Sequence, residues 1–137
     1  MLNYQSIRPP ETRLLNRRTG RCNDGRPHQP QHIRPDGPAI RRLGYIPAGE
    51  RVYVSIDIDS FDPSVAPGTA TISCGGFTYC EGEDILREVA RRFDVVGVDF
   101  VEVSSPCDPS GITSLLAART SIDFIGSIFH ERARRRA

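Results

Sequence analysis

The chain has 137 residues, enough for one hydrophobic core and too few for two comfortable domains. Its 18 basic and 17 acidic residues leave a formal net charge of +1, which gives no electrostatic reason to expect nucleic acid or an anionic membrane as a partner. Every basic residue is arginine. The composition therefore excludes mechanisms that need a lysine nucleophile, a Schiff base or a P-loop lysine.

The N-terminus lacks the apolar core of a signal peptide, and the longest apolar runs are interrupted by Arg119 or Asp123. The sequence thus predicts neither a signal peptide nor a spanning helix, and we expect a cytoplasmic protein with no membrane partner. The cysteines show no CxxC pair, and in a reducing compartment they are expected to be free thiols. They are Cys22, Cys74, Cys80 and Cys107.

Residues 1–50 and 51–137 differ in character. The first part is irregular and rich in arginine and proline, and residues 20–38 show neither helical nor strand periodicity, which predicts a loop or disorder. Only Ala39–Ile46 is suited to a short helix there. The second part is regularly patterned, so we place the structured domain at residues 51–137.

Two apolar strands and two helices alternate in the second part. The run "RVYVSIDI" from Arg51 is rich in β-branched residues and predicts a strand that is buried on both faces. "DVVGVDFVEV", from Asp94 to Val103, predicts a second strand. Between them, Thr78 and Glu81 form a capping box in front of a helix, whose apolar face is predicted to hold Ile85, Leu86, Val89, Ala90 and Phe93.

A long amphipathic helix is predicted from Ser110 to the Arg-rich end of the chain, where positive charge suits the helix C-terminus. Its apolar side is predicted to consist of Leu115, Leu116, Ile122, Ile125 and Phe129. The order strand, helix, strand, helix indicates a βαβα unit with a parallel pair of strands. In such α/β sheets ligands bind at the carboxyl ends of the strands.

Carboxylates stand at both predicted strand ends: Asp57, Asp59 and Asp62 after the first strand and Glu102 after the second. In an extended strand Asp57 and Asp59 would share a face, and a divalent cation would offset the repulsion between them. Hard oxygen ligands favour Mg²⁺, Ca²⁺ or Mn²⁺. The alternative is that these aspartates only cap the turn before Pro63, since Asp is an ordinary turn residue.

Two other carboxylate sites can be compared with the same residues. A calcium EF-hand counted from Asp57 would need glycine and glutamate where the chain has Asp62 and Gly68, so it is excluded. A phosphatase of the haloacid dehalogenase type also ends a strand in Asp-x-Asp. The chain has Phe61 in place of that family's Thr or Val and has no lysine to steady a phosphate, which leaves this class as a weaker alternative.

The stretch "VSIDIDSFDPSVAPGT" resembles the signature of the ureohydrolase family, the arginases and agmatinases. "GVDFVEVSSPCDPSGITSLLAA" is similar to the next segment of the agmatinase branch. The resemblance covers roughly residues 50–130, with a short upstream match at Ser6–Pro10. It implies the carboxy-terminal part of a three-layer, arginase-like α/β fold with a parallel sheet, from which amino-terminal strands of the family are missing.

The resemblance implies manganese-dependent hydrolysis of a guanidino C–N bond to an amine and urea, as in polyamine metabolism. Asp57 and Asp59 would be ligands in a two-Mn²⁺ centre, and Glu102 would receive the substrate guanidinium. Asp62 and Thr71 would support the site. Without the resemblance, we would expect Glu102 to pair with a nearby arginine instead. The implied partners are a small guanidino substrate and other copies of the chain in a homo-oligomer.

The chain also departs from the family pattern. Its Gly-Gly-Asp-His and Asp-Ala-His-x-Asp motifs, which supply the other metal ligands, are absent from these residues. His28 and His32 have Pro30 between them and cannot share a helical face. We therefore expect little or no activity from this chain alone. A non-catalytic module that pairs with a full-length ureohydrolase through an exposed sheet edge is the alternative function.

Overall fold

The computed structural model describes residues 2–6 and 43–137. Its regular elements are β1 (Leu2–Ser6), β2 (Arg51–Asp57), α1 (Tyr79–Arg92), β3 (Asp94–Val101) and α2 (Ile112–Arg136). Several predictions lie outside the described residues: the loop at 20–38, the first half of the short helix at 39–46, the upstream match beyond residue 6, and the histidine pair. In the described half of that helix prediction, residues 44–46 form a turn and a bend after Leu43 rather than a helix. The order β2, α1, β3, α2 is the predicted βαβα unit.

The sheet has the strand order β1-β2-β3. Strands β2 and β3 are parallel, as predicted, and Asp57 at the end of β2 pairs with Val101 at the end of β3. Strand β1 was not predicted, because only two of its five residues are apolar. It pairs antiparallel with β2, with Leu2 opposite Ile56. One edge of the β2–β3 pair was expected to be open. Strand β1 covers the β2 edge, so β2 is the central strand of the described sheet and β3 is an edge strand of it.

The prediction that β2 is buried on both faces is wrong for the described part of the chain. Val52, Val54 and Ile56 are almost fully buried, whereas Tyr53 and Ser55 between them are half-buried. This alternation arises because both helices pack on one face of the sheet, where they share a single hydrophobic core with the three buried residues. The other face carries the polar residues that lead towards Asp57.

Helix α1 confirms its predicted capping box. The Thr78 hydroxyl accepts a hydrogen bond from the backbone N–H of Glu81 at 3.3 Å, and the Glu81 carboxylate accepts one from the N–H of Thr78 at 2.8 Å. The predicted apolar side is the buried one: Ile85, Leu86, Val89, Ala90 and Phe93 are all at most 5% exposed. This helix therefore follows directly from its sequence pattern.

Helix α2 buries a different side from the predicted one. Of the five apolar residues assigned to the core, only Leu116 is buried, and Leu115, Ile122, Ile125 and Phe129 are exposed. The side that packs is lined by Thr113, Leu116, Ala117, Thr120, Phe124 and Ile128. The helix is apolar on more than one side, so periodicity alone did not select the packed one.

A polar contact helps to hold α2 against α1. The Tyr79 hydroxyl of α1 donates a hydrogen bond to the Asp123 carboxylate of α2 at 2.8 Å, and Arg119 Nε donates to the same oxygen at 2.7 Å. Both donors lower the pKa of Asp123, with the Arg119 hydrogen bond as the larger cause. The Tyr79 bond crosses from α1 to α2, whereas the Arg119 bond lies within α2, so the Tyr79 contact favours the observed rotation of α2 about its own axis.

By length and composition, α2 could also cross a membrane, which the sequence analysis had excluded from the positions of Arg119 and Asp123. The same composition is found in core helices of soluble proteins, and 33% of the apolar window of α2 is buried inside this fold. Its packed residues Leu116, Phe124 and Ile128 lie in the core with the sheet and α1. The observed packing is that of a core helix whose second apolar side has no described neighbour.

Candidate metal and guanidinium site

Asp57 and Asp59 lie at the carboxyl end of β2, but not as two residues of one strand. The strand stops at Asp57, and Ile58–Ser60 form a 3₁₀-helical turn. The Asp57 carboxylate caps this turn by accepting a hydrogen bond from the Asp59 N–H at 2.9 Å, and the Ser60 hydroxyl donates to the Asp57 carbonyl at 2.7 Å. The turn, rather than the two-residue repeat of a strand, brings the two carboxylates together.

The Asp59 side chain has the features of a ligand that lacks its partner. One carboxylate oxygen, Oδ1, is buried and has no hydrogen-bond partner among the described residues. Burial raises the pKa of Asp59, and the charges of Asp57 and Glu102 raise it further. A buried, unpaired carboxylate oxygen is costly unless a cation or a donor reaches it. The Asp57 and Asp59 oxygens therefore fit a hard divalent cation as part of its ligand set.

Glu102 follows β3 directly and is exposed at the same sheet edge. Its backbone is left-handed, with φ of 63°, and it is the one non-glycine residue with positive φ in the described chain. This conformation costs about 1 kcal/mol for a residue with a Cβ and is found preferentially at functional sites. No arginine between residues 43 and 137 forms an ion pair with Glu102, so the expected alternative partner is not among those residues.

Asp62 organises the loop after the 3₁₀-helical turn. Its two carboxylate oxygens accept hydrogen bonds from the N–H groups of Ser64 at 3.0 Å and Gly75 at 2.9 Å. Its own N–H donates to the Phe77 carbonyl at 2.9 Å. This is the turn-capping role that was weighed against metal binding, and it applies to Asp62 and, through one oxygen, to Asp57. Thr71, in the same loop, is exposed to solvent.

A hydrogen-bonded cluster around Gly68, called the Gly68 cluster here, joins the loop after β2 to the loop after β3. The Gly68 N–H donates to the Thr113 hydroxyl at 2.7 Å, and the Gly68 carbonyl accepts from the Ser104 N–H at 2.8 Å. The Asp108 carboxylate accepts from the Thr113 N–H at 2.7 Å and from Ser110. These contacts hold the segment that carries Glu102 against the segment that follows Asp59.

Sequence analysis did not single out Asp108, Thr113 or Gly68 as site residues, although all three lie inside the two motif segments. Hydrogen bonds from Ser110 and Thr113 lower the pKa of Asp108 to about 2, so its carboxylate stays charged. Asp108 and Thr113 are both nearly fully buried. The signal in the sequence was the Asp-Pro-Ser-Gly stretch from Asp108, directly before α2, because aspartate and serine side chains often hydrogen-bond to backbone groups in turns and at helix starts.

We expect Gly68→Ala to weaken the packing and the hydrogen bonds of the Gly68 cluster. A Cβ at Gly68 would lie 2.7 Å from the Asp108 Cβ and 2.8 Å from the Thr113 hydroxyl oxygen, so the two loops would have to separate. The expected loss in free energy of unfolding is about 1–3 kcal/mol, the usual cost of overpacking. Urea denaturation followed by circular dichroism measures it.

Gly126→Ala is the matched control for this substitution. A Cβ at Gly126 meets no atom within 4 Å, and the residue lies inside α2, so alanine should stabilise the protein by about 0.5–1 kcal/mol. Equal and small effects of the two substitutions would contradict the close packing around Gly68.

Asp99 is a second polar residue that the sequence analysis passed over. It pairs with Ser55 across the β2–β3 ladder, on the half-buried face that also bears Asp57. The Tyr53 hydroxyl donates to one Asp99 oxygen at 3.0 Å, and the other oxygen, Oδ1, is buried without a partner among the described residues. The hydrogen bond to Asp99 raises the pKa of Tyr53. A polar stripe thus runs along this face to the metal-site aspartates.

The described residues do not include a complete set of metal ligands. No group of three or more His, Cys, Asp and Glu side chains between residues 43 and 137 has the spacing of a complete ligand set. Asp57 and Asp59 supply oxygens of the right kind, and the polar stripe supplies further buried acceptors. A tightly held ion needs additional ligands from elsewhere.

Comparison with known proteins gives the context for these features. The model of the arginase family matches residues 26–126, which extends upstream of the motifs at 50–130. A guanidinobutyrase of Pseudomonas aeruginosa is 49% identical over 70 residues, which are 51% of this chain and 22% of that protein. An agmatinase of Neisseria meningitidis is 38% identical over 86 residues, 63% of this chain and 28% of that protein.

A solved structure shares the fold. The crystal structure of a hypothetical agmatinase from Burkholderia thailandensis superposes with a TM-score of 0.61 at 33% sequence identity, and the match covers 72% of this chain and 31% of that one. The chain therefore spans 22–31% of the length of these relatives, and the expected arginase-like α/β fold is confirmed for that part. The two motifs, their parallel strands and the family match all agree, and the chain belongs to the arginase family.

Proposed function

We propose that this chain contributes to manganese-dependent hydrolysis of a guanidino C–N bond, in which an amine and urea are formed. The observation that carries the proposal is the buried, unpartnered Oδ1 of Asp59 beside Asp57. The relatives named for guanidino compounds support the substrate class. The hydrogen bonds of the Gly68 cluster join the two loops that meet at the sheet edge, so the carboxylates of Asp59 and Glu102 keep their relative positions.

Each carboxylate has a distinct task in this proposal. Asp57 and Asp59 would hold Mn²⁺, which supplies an activated water for hydrolysis when it is bound. Glu102 would accept hydrogen bonds from the planar guanidinium of the substrate, a cation suited to bidentate pairing with a carboxylate. The left-handed backbone of Glu102 turns the chain sharply at the strand end, so that this carboxylate stands at the edge where Asp57 and Asp59 lie.

We further propose that the chain alone has little or no ureohydrolase activity. Two carboxylates hold a hard ion weakly and leave most of its ligands as water. The family motifs that supply the remaining ligands do not occur in these residues. The three described cysteines, Cys74, Cys80 and Cys107, are exposed free thiols, and we propose a reducing, cytoplasmic location in which they persist.

Binding of Mn²⁺ tests the metal-site assignment directly. Free Mn²⁺ has an electron paramagnetic resonance signal that is lost on binding, and titration of the chain should show weak saturable binding, with a Kd on the order of 0.1–1 mM. Asp59→Asn should weaken it at least about tenfold, because a charged ligand becomes a neutral one. Asp84→Asn, an exposed helix carboxylate paired with Arg87, is the control and should change nothing. Equal binding by both variants would contradict the site, and urea release from the chain with Mn²⁺ would contradict its inactivity.

The exposed apolar side of α2 favours a second candidate function, a non-catalytic module that pairs with a full-length ureohydrolase. Leu115 is 71% exposed and Phe129 is 63% exposed, which is unusual for large apolar residues on a helix with a packed opposite side. Strand β1 covers the β2 edge, so β3 is an edge strand of the described sheet, and the exposed side of α2 adds a second, apolar surface for this pairing. Co-elution with a full-length relative in size-exclusion chromatography would support this second function, and separate elution would contradict it.

A further inference from the structure

An arginine-lined hollow lies at the end of the sheet opposite to the carboxylates. It has a volume of about 560 Å³ and is lined by Gly49, Arg92, Asp94, Arg132, Arg135 and Arg136. Gly49 precedes β2 and Asp94 begins β3, so the hollow opens at the amino ends of the strands. The length of β3 separates it from Glu102 by roughly 25 Å. The hollow is therefore distinct from the proposed metal and guanidinium site.

The fold gathers these arginines because both helices end at the same place. Arg135 of α2 donates hydrogen bonds to the carbonyls of Ala90 at 2.7 Å and Phe93 at 3.1 Å, which are last-turn carbonyls of α1 and its C-cap. Arg132 donates to the Val95 carbonyl at 2.7 Å. Those two arginines have a structural role, since they satisfy backbone groups that the helix and strand leave open.

The remaining charges of the hollow are not explained by that role. The Arg136 side chain has neither a hydrogen bond nor an ion pair with any residue that the structure describes. Arg92 shares the Glu88 carboxylate with Arg91, and the single acid of the lining, Asp94, is 3.4 Å from Arg132 and 3.9 Å from Arg51. Positive charge therefore exceeds negative charge around an open concavity, although the whole chain carries only +1.

The chemistry of the lining selects the kind of ligand. A guanidinium group presents a planar fork of N–H donors that matches phosphate oxygens in pairs. The forks of Arg92 and Arg136, together with the positive charges of Arg132 and Arg135 beside them, suit an anion with more than one charged group. The volume lies in the range of small-ligand pockets. We propose that this arginine hollow binds a polyphosphate group, either free or carried by a nucleotide.

The proposal is tested by isothermal titration of the 137-residue chain at low salt. Tripolyphosphate is the probe, orthophosphate is the weaker comparison ligand, and ATP and adenosine separate the two sources of the group. Tripolyphosphate should bind saturably and at least about tenfold more tightly than orthophosphate, because it reaches several guanidinium groups at once. If ATP binds more tightly than tripolyphosphate, the ligand is a nucleotide. If the two bind with equal affinity, the hollow recognises the polyphosphate group alone. Absence of saturable tripolyphosphate binding would overturn the proposal.

Variants of the lining locate the binding. Arg136→Ala and Arg92→Ala should each weaken tripolyphosphate at least about fivefold, since each removes a donor fork. Arg134→Ala is the matched control, because Arg134 lies in the same helical turn but pairs with Glu131 at 3.2 Å and does not line the hollow. An equal loss in Arg134→Ala would show non-specific attraction to the basic helix end and would overturn the proposal.

Asp94→Asn gives the opposite expectation. It removes the one negative charge from the lining, so tripolyphosphate should bind about threefold or more tighter. A gain of affinity cannot result from partial unfolding, which guards against misreading the alanine variants. Unchanged or weaker binding in Asp94→Asn, with the thermal midpoint preserved, would contradict binding in the hollow. The test does not involve Mn²⁺ or urea release, so its outcome is independent of the proposed ureohydrolase function.

Discussion

Phe124→Ala is expected to lower the free energy of unfolding by about 3–5 kcal/mol, the range for removing a large aromatic side chain from a packed core. Phe124 is 1% exposed and belongs to the cluster that joins α2 to α1 and the sheet. A loss of that size is a large part of the stability of a small domain. Urea denaturation followed by circular dichroism gives the free energy directly, and the slope of the transition reports whether the variant still folds cooperatively.

Phe129→Ala is the control on the same helix. Phe129 is 63% exposed, so its removal should change the free energy of unfolding by less than about 0.5 kcal/mol. The two phenylalanines test which side of α2 faces the core. A larger effect at Phe129 than at Phe124 would mean that the helix packs in the orientation that periodicity first predicted.

Asp59→Asn should have the largest effect on catalysis, and a chimera with a complete relative makes it measurable. The 86-residue stretch that matches the agmatinase of Neisseria meningitidis would replace its counterpart there, at 38% identity. The chimera should release urea from agmatine in the presence of Mn²⁺. Asp59→Asn should reduce kcat on the order of 10³-fold, because a weakened metal site loses several kcal/mol of transition-state stabilisation.

Two further substitutions make the chimera decisive. Asp84→Asn should leave kcat within about twofold, because its carboxylate lies on α1 in an ion pair with Arg87. Glu102→Gln should raise KM for agmatine at least about tenfold, since the carboxylate that would pair with the guanidinium loses its charge. An Asp59→Asn chimera that retains full activity would remove Asp59 from the metal site.

Local signals were sufficient for several parts of this structure. The capping box at Thr78 and Glu81, the apolar side of α1 and the parallel pairing of β2 with β3 all follow from interactions between residues close in sequence or from the βαβ rule. The two motifs were likewise sufficient to place Asp57 and Glu102 at one sheet edge. These features depend on short-range periodicity, which a single sequence contains in full.

Long-range packing determined three features that the sequence pattern did not predict: strand β1, the rotation of α2 and the one-sided burial of β2. Strand β1 is held by backbone pairing with β2, 50 residues or so further along, and its own five residues carry little strand signal. The rotation of α2 depends on which of two apolar sides meets α1, and the contact of Tyr79 with Asp123 helps to select it. The one-sided burial of β2 depends on where the helices lie, not on its β-branched residues.

The sequence by itself determined the family, the βαβα order and the identity of the carboxylates, because motifs and periodicities are properties of the chain alone. Only the tertiary structure decided how the site is held. It showed that a 3₁₀-helical turn presents Asp59 with an unpartnered oxygen, and that Gly68, Asp108 and Thr113 bind the two loops together. It also brought two helix ends together to form the arginine hollow. The contact of Gly68 with Thr113 and the arginine hollow join residues distant in sequence, whose geometry exists only once the chain has folded. The 3₁₀-helical turn is local, but burial of Asp59 Oδ1 depends on the folded chain around it.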